Sequence, residues 1–339
     1  MTDKLERAID DLGRRWVPDR RLGIFEIVLS GEPRRLGGRT TSPEALEALR
    51  RLAADAGLVA ELVRLPDASV GGEGAAVLTA AIAPLLEQPK LNAARVNEVL
   101  HGEALAVLER RDQWLRVRVG DGYHGWLHAG YVATGPEDWA ADWTVRAAAH
   151  SLGIELQVLD GGDRRRLPIG ARVALRRDGT VELADGRLAA IVAGLVRPES
   201  ELRAAARLLA LPELALRWFG GALYLWGGRT EWGIDCSGLA QSTYAARGIT
   251  LRRDSDQQVS QGREVPLDAR GTGYEAGDLL CFAENGRVSH VALWAGAGRI
   301  VHSALSRGGV ARDDLLGDTP LARRLREGLV AVRRLAPER

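Results

Sequence analysis

Tyr224-Leu225-Trp226-Gly227-Gly228, followed after four residues by Gly233-Ile234-Asp235-Cys236-Ser237-Gly238-Leu239, is the stretch on which the reading of this chain turns. Glycines crowd the loop, and Leu239 to Arg247 then carries the pattern of a helix stopping at Gly248, a residue suited to the left-handed position past a helix end. Cys236 is thereby placed at a helix N-terminus. There the macrodipole and free backbone N–H groups favour a thiolate, which predicts a thiol pKa below its ordinary value, and the same N–H groups can hold a developing oxyanion. A nucleophile is well served by that position.

A cysteine nucleophile needs a base and a group to orient it. Of the six histidines only His290 and His302 lie downstream of Cys236. Gly277 to Phe282 reads as a strand, Asn285-Gly286 as a hairpin turn, and Val288–Ala295 and Arg299–Ala304 as strands joined by Gly296-Ala297-Gly298. With that three-residue loop, Ala295 faces Arg299 and His302 faces Ala292. His290 and His302 then sit diagonally on one face, Cβ atoms about 7–8 Å apart or less, so that one imidazole can orient the other. Cys281, the other cysteine, alternates within an apolar strand and reads as buried filler.

With these residues assembled, 224–305 resembles the NlpC/P60 cysteine peptidases, papain-like enzymes that cut peptidoglycan peptides. The Asp-Cys-Ser-Gly run and the Ser-His-Val and Val-His-Ser contexts carry the resemblance. It implies Cys236 as nucleophile, His290 as general base, His302 as orienting third member, and Tyr224 at the oxyanion or on substrate. Acyl transfer of this kind needs no metal and no cofactor. Trp226 is expected to pack under the loop.

Upstream, Val99-Leu100-His101-Gly102-Glu103, Trp114-Leu115-Arg116-Val117 and Asp121-Gly122-Tyr123-His124-Gly125-Trp126-Leu127 resemble the bacterial SH3 (SH3b) pattern, with turns at Arg111-Asp112-Gln113 and Gly120-Asp121-Gly122. Residues 143–197 read as a second, divergent SH3b-like barrel. Barrels before such a peptidase resemble the γ-D-glutamyl-L-diamino acid dipeptidyl-peptidases, which implies release of L-Ala-γ-D-Glu from small wall-derived peptides with a free N-terminal L-Ala. That resemblance makes Glu98 and Tyr123 the ligands of the free ammonium, and Asp235, Ser237, Asp254 and Ser255 the pocket for the dipeptide. Each has a plainer alternative. In that alternative Glu98 is a solvated strand residue, Tyr123 barrel core, Asp235 the cap of the cysteine helix, and Ser255 the cap of a segment beginning near Asp256.

The rest of the chain sets bounds. Its 339 residues exceed one small core, and 46% hydrophobic with 27% charged residues excludes disorder. Net charge is +1, and of 46 basic residues only Lys4 and Lys90 are lysine. The arginines are spread along the chain, so nothing points to nucleic acid or an anionic membrane. Four acids in the first 11 residues and no apolar core there do not read as a secretory signal. No stretch reads as a membrane span, and a cytoplasmic protein is the expectation.

The fold expected is multidomain α+β: a small α/β unit (1–72), two SH3b-like barrels (75–142 and 143–197) and a papain-like domain (198–339). In the first unit 24–29 suits a strand, Gly31-Glu32-Pro33 a turn, and Ser42-Pro43 the start of a helix. From 198 to about 219 the chain reads as helical, interrupted at Pro212. The competing functions are a wall-acting endopeptidase or amidase and a non-catalytic muropeptide sensor. Oligomeric state, lysine against diaminopimelate as leaving residue, and the role of 1–72 stay open.

Overall fold

The computed structural model describes residues 2–31 and 34–336. Among these, the strands gather into sheets of three, seven, five and six strands, with a two-stranded ribbon beside the last.

In the three-stranded sheet Phe25–Ser30 pairs antiparallel with Arg35–Thr40, which pairs parallel with Val59–Arg64. A parallel pair needs a crossover, here the helix Pro43–Asp55. Ser42 caps that helix, its Oγ accepting from the Ala45 N–H at 3.0 Å, and Pro43 opens it. Ile9 of the helix Thr2–Trp16 joins Phe25, Leu36 and Leu49 in the core. Glu32 and Pro33 of the expected turn lie outside the described residues. After the first helix a tight turn, closed by the Leu22 and Gly23 N–H groups on the Asp19 carbonyl, carries residues 17–23 toward the neighbouring units.

The seven-stranded barrel sheet runs in the order Val132–Gly135, Ala75–Leu78, Ala104–Arg111, Trp114–Arg118, His124–His128, Ile82–Leu86, Arg95–Leu100. Leu85, Val99, Val107, Leu115, Val117 and Leu127 fill it. The turn expected at 111–113 is tighter in fact: Arg111 pairs with Trp114, and Asp112 takes a φ of 51°. In the next sheet the long strand Ala149–Val158 pairs with Arg164–Leu167, Arg172–Leu175 and Leu188–Pro198, which closes a small barrel around Ile154, Leu156, Val173 and Val181.

The helical stretch is two helices, Glu199–Arg207 and Leu211–Phe219. Pro212 stands in the first turn of the second helix, where its missing N–H costs nothing, so the break falls just before it.

The last sheet is antiparallel in the order Arg263–Val265, Leu329–Arg334, Leu279–Glu284, Arg287–Gly296, Arg299–Ala304, Gly309–Asp314. Alternation divides it cleanly. Leu279, Cys281, Val291, Leu293 and Val301 face the helices Leu211–Phe219 and Cys236–Ala245, whereas Leu280, Phe282, Ala292, Trp294 and Ile300 face the helix Pro320–Gly328. Cys281 is a fully buried free thiol in the first of these cores.

Two details differ from expectation. Gly296, not Ala295, pairs with Arg299, because an irregularity after Trp294 and positive φ at Gly296, Ala297 and Gly298 tighten the turn by one residue. Beyond it, Leu293 opposite Val301 keeps the expected register. In the preceding hairpin Phe282 pairs with His290 but Ala283 with Val288, so Ser289 forms a bulge.

Candidate active site

Cys236 is the first residue of the helix Cys236–Ala245, and Asp235 is its cap, Oδ1 accepting from the Gly238 N–H at 2.7 Å. The other carboxylate oxygen accepts from the Gly227 N–H at 2.7 Å, tying the glycine loop to the cap. Arg253, 1% exposed, closes the arrangement: its guanidinium reaches Asp235 Oδ2 at 2.7 Å, Ser237 Oγ at 2.9 Å and, on the first barrel, Asn97 Oδ1 at 2.8 Å. The cysteine helix is thus anchored by a buried ion pair inside the peptidase, which the hydrogen bond from Arg253 to Asn97 ties to the first barrel.

The thiol does not have the lowered pKa expected of a helix start. Burial pushes it up to about 12 and the Asp235 carboxylate adds to the rise, against the Val291 amide, Arg253 and the Ser237 amide. A cap that is itself an anion takes one of the free N–H groups and offsets the helix dipole. Among the described residues no hydrogen bond joins Cys236 to His290; instead the sulfur lies against the amide of Val291, the residue after the histidine.

His290 and His302 meet as the register implies, His290 Nε2 to His302 Nδ1 at 2.8 Å with ring centroids 5.0 Å apart. Phe282 covers His290 at 5.8 Å between centroids. Sequence reading missed a fourth member, beyond Cys236, His290 and His302: His302 Nε2 lies 2.8 Å from Asp313 Oδ2. A carboxylate only accepts, so His302 carries its proton on Nε2 and presents the Nδ1 lone pair, and His290 must donate from Nε2. The Nδ1 lone pair of His290 is then the free base. Burial lowers His290 to about 3, with the charges of His302 and Arg324 adding to it, and lowers His302 against the pull of Asp313. The signal for Asp313 was present in the strands: His302 pairs with Ala311, and Asp313, two residues on, shares its face.

Two cavities flank this chemistry. One of about 320 Å³ contains Cys236, Tyr123, Trp226, Asp235, Ser237, Asp254 and Ser255. The other, of about 560 Å³, contains His290, His302, Phe282, Leu305 and Arg324. Tyr224 and Ser289 belong to both, marking where the two meet. Burial, with the charges of Cys236 and Asp235, pushes the Tyr224 phenol up to about 12, so it stays a donor at neutral pH.

Of the other residues singled out, Tyr123 and Asp254 come together, the phenol donating to Asp254 Oδ2 at 3.3 Å. Burial raises the Asp254 carboxyl above its ordinary range while Arg253 and Arg21 oppose the rise. Asp254, not Ser255, caps the short helix Ser255–Gln258, in a capping box with Gln257; Ser255 Oγ donates to the Val288 carbonyl at 3.4 Å. Glu98 does not reach the cavity. It is wholly buried, and its carboxylate is taken by Arg95 at 2.6 Å and by the Arg229 N–H at 3.1 Å, which makes it a joint between barrel and peptidase, not a ligand for an incoming amine. Trp226, expected under the loop, is 65% exposed and lines the cavity. Arg21, from the first unit, also lines it, and no local motif announced it.

A cysteine at a helix start, set against an antiparallel sheet bearing a histidine–histidine–aspartate relay, is consistent with a cysteine peptidase. Residues 221–327 match the NlpC/P60 family and residues 85–130 the bacterial dipeptidyl-peptidase Sh3 domain. The NlpC/P60 stretch, which holds Cys236, His290, His302 and Asp313, therefore follows the bacterial SH3 stretch in this chain. It is 43% identical over 89 residues to a gamma-D-glutamyl-L-lysine dipeptidyl-peptidase of Bacillus subtilis, a match covering 25% of this chain and 29% of the relative. It is 28% identical over 269 residues to dipeptidyl-peptidase 6 of Lysinibacillus sphaericus, covering 73% of this chain and 94% of that one. The crystal structure of an NlpC/P60 family protein from Bacillus cereus superimposes with a TM-score of 0.60 at 20% identity over 77% of this chain and 99% of that chain, a likeness of fold.

Proposed function

We propose that the protein hydrolyses the γ-D-glutamyl bond to the diamino acid in small peptidoglycan-derived peptides with a free N-terminal L-Ala, releasing L-Ala-γ-D-Glu for wall recycling in the cytoplasm. The observation carrying this reading is the pairing of Asp254 with the barrel residue Tyr123 in the cavity of Cys236. A half-buried carboxylate beside a phenol suits an ammonium, which can donate three hydrogen bonds and keeps the carboxylate ionised. The name of the Bacillus subtilis relative, a gamma-D-glutamyl-L-lysine dipeptidyl-peptidase, supports the bond cleaved, and that of the Lysinibacillus sphaericus relative, dipeptidyl-peptidase 6, the release of a dipeptide.

In this mechanism the acyl dipeptide occupies the smaller cavity and the leaving diamino acid the larger one, with the scissile carbonyl between Tyr224 and Ser289. His290 Nδ1 takes the thiol proton as Cys236 Sγ attacks, and the Tyr224 hydroxyl and the helix N–H groups face the developing oxyanion. His290 then protonates the departing amine, and the thioester that remains is hydrolysed by water activated at the same nitrogen. Ser237 and Ser255 line the same cavity, and this reading assigns their hydroxyls to the α-carboxylate of D-glutamate, in exchange for their present partners Asp235 and the Val288 carbonyl.

Incubating the protein with L-Ala-γ-D-Glu-meso-diaminopimelate and with its N-acetylated form, and weighing the products by mass spectrometry, tests the reading. L-Ala-γ-D-Glu is expected from the free-amine peptide alone, and not from the Cys236→Ala variant. Equal cleavage of both peptides refutes it and favours a wall-acting endopeptidase.

A further inference from the structure

Arg21 lies in the N-terminal unit, outside both family stretches, and yet forms part of the wall of the cysteine cavity. Its main chain is fixed to the SH3 barrel: the His124 N–H donates to the Arg21 carbonyl at 3.0 Å, and His124 Nε2 lies 2.8 Å from the Arg20 carbonyl. Its side chain is fixed to the peptidase. Nε and Nη2 fork onto the Asp19 carboxylate, each at 2.9 Å, while Nη1 donates to Asp254 Oδ2 at 2.9 Å and to Asp256 Oδ1 at 2.7 Å. Asp19 Oδ2 also accepts from Gln257 Nε2 at 2.7 Å, and Arg287 holds the other oxygen of Asp256 at 2.9 Å. Packing the first unit against the other two does not require an arginine 28% exposed with every edge of its plane engaged. An isolated exposed pair would be worth little; this is a network with the fork geometry only a guanidinium supplies.

The wall it completes is the one expected to meet the substrate's amine. Asp254 Oδ2 is shared by Arg21 and the Tyr123 hydroxyl, so the carboxylate is pinned in one orientation by groups from two other units. We infer that Arg21 is a specificity-determining residue: it closes the acyl end of the cavity beside Asp254, so that a chain ending there in a free ammonium is accepted and a chain continuing past that point is excluded. This rests on the reading above, in which Asp254 takes the ammonium. An ammonium adds donors to a carboxylate that has lone pairs to spare. An acylated nitrogen brings one donor and additional atoms that fit only if the guanidinium is pulled from Asp254, leaving that partly buried carboxylate without its ion-pair partner. The N-terminal unit thereby limits cleavage to dipeptide release.

The test measures kcat/KM for L-Ala-γ-D-Glu-meso-diaminopimelate and its N-acetyl form with full-length wild type, Arg21→Ala and Arg21→Lys, with melting curves recorded for each. The preference for the free amine is expected to fall by about tenfold or more in Arg21→Ala. It should fall by a smaller factor in Arg21→Lys, which keeps the charge but cannot serve Asp19, Asp254 and Asp256 together. If both peptides slow in proportion and the preference is unchanged in a folded variant, Arg21 is only structural and the inference is overturned. Wild-type protein that cleaves both peptides equally overturns the free-amine reading, and this inference with it.

Discussion

Replacing Asp313 by alanine removes the last member of the relay without touching either cavity wall, and so isolates what orientation is worth. His302 is 1% exposed, and its Nε2–H has Asp313 as hydrogen-bond partner at 2.8 Å. In Asp313→Ala that donor is stranded, and the proton is free to move to Nδ1. His290 would then have to accept at Nε2 and carry its own proton on Nδ1, where the base is needed. Hydrogen bonds to charged groups are worth about 1.5–3 kcal/mol. At about 1.36 kcal/mol per factor of ten, kcat should fall roughly 10- to 150-fold. KM should hardly change, since Asp313 lines neither cavity. Steady-state kinetics on L-Ala-γ-D-Glu-meso-diaminopimelate, with circular dichroism to confirm folding, gives both numbers. A folded Asp313→Ala enzyme with kcat within twofold of wild type would show that the carboxylate does not set the tautomer.

Two further outcomes follow from the same site. Arg253→Ala strands the Asp235 carboxylate beside the cysteine helix, so urea unfolding should show a loss of about 3–5 kcal/mol, and Arg253→Lys should recover little of it because one ammonium cannot serve Asn97, Ser237 and Asp235 at once. The Cys236 thiol, pushed up to about 12, is protonated throughout the neutral range, so iodoacetamide should label the substrate-free enzyme slowly at pH 6–8 and progressively faster as pH rises. A plateau already reached below pH 7 would mean a preformed thiolate.

The parts of the site legible in sequence are those whose geometry is local or carried by strand alternation. Cys236 could be placed at a helix start because glycines and a helix pattern bracket it, and His290 and His302 could be paired because a short hairpin leaves little choice of register. Asp313 needed one more strand of the same argument. Tyr123 and Asp254 were singled out by the family resemblance alone and Arg21 not at all, since their meeting depends on how three units dock, and no periodicity in 17–23 or 252–256 encodes that. The thiol was misjudged for a related reason. Helix position can be read from residues, but the depth of burial and the anionic cap that oppose ionisation are tertiary facts. Glu98 shows the same limit: its pattern resembles a ligand, and its partner Arg229 is 131 residues away.

The bulge at Ser289 also settles which insertions this hairpin can bear. Val288 and Val291 both pack toward the cysteine helix, which a regular alternation would forbid, while His290 keeps company with Phe282 on the opposite face. The bulge acts as a phase slip between two stretches of one strand, the first belonging to the cavity of Cys236 and the second to the relay. Length changes in the Asn285-Gly286 turn can be taken up at the slip and leave the histidines in step. Removing Ser289 itself would bring the two stretches into one phase, so that either Val288 leaves the core or His290 leaves His302.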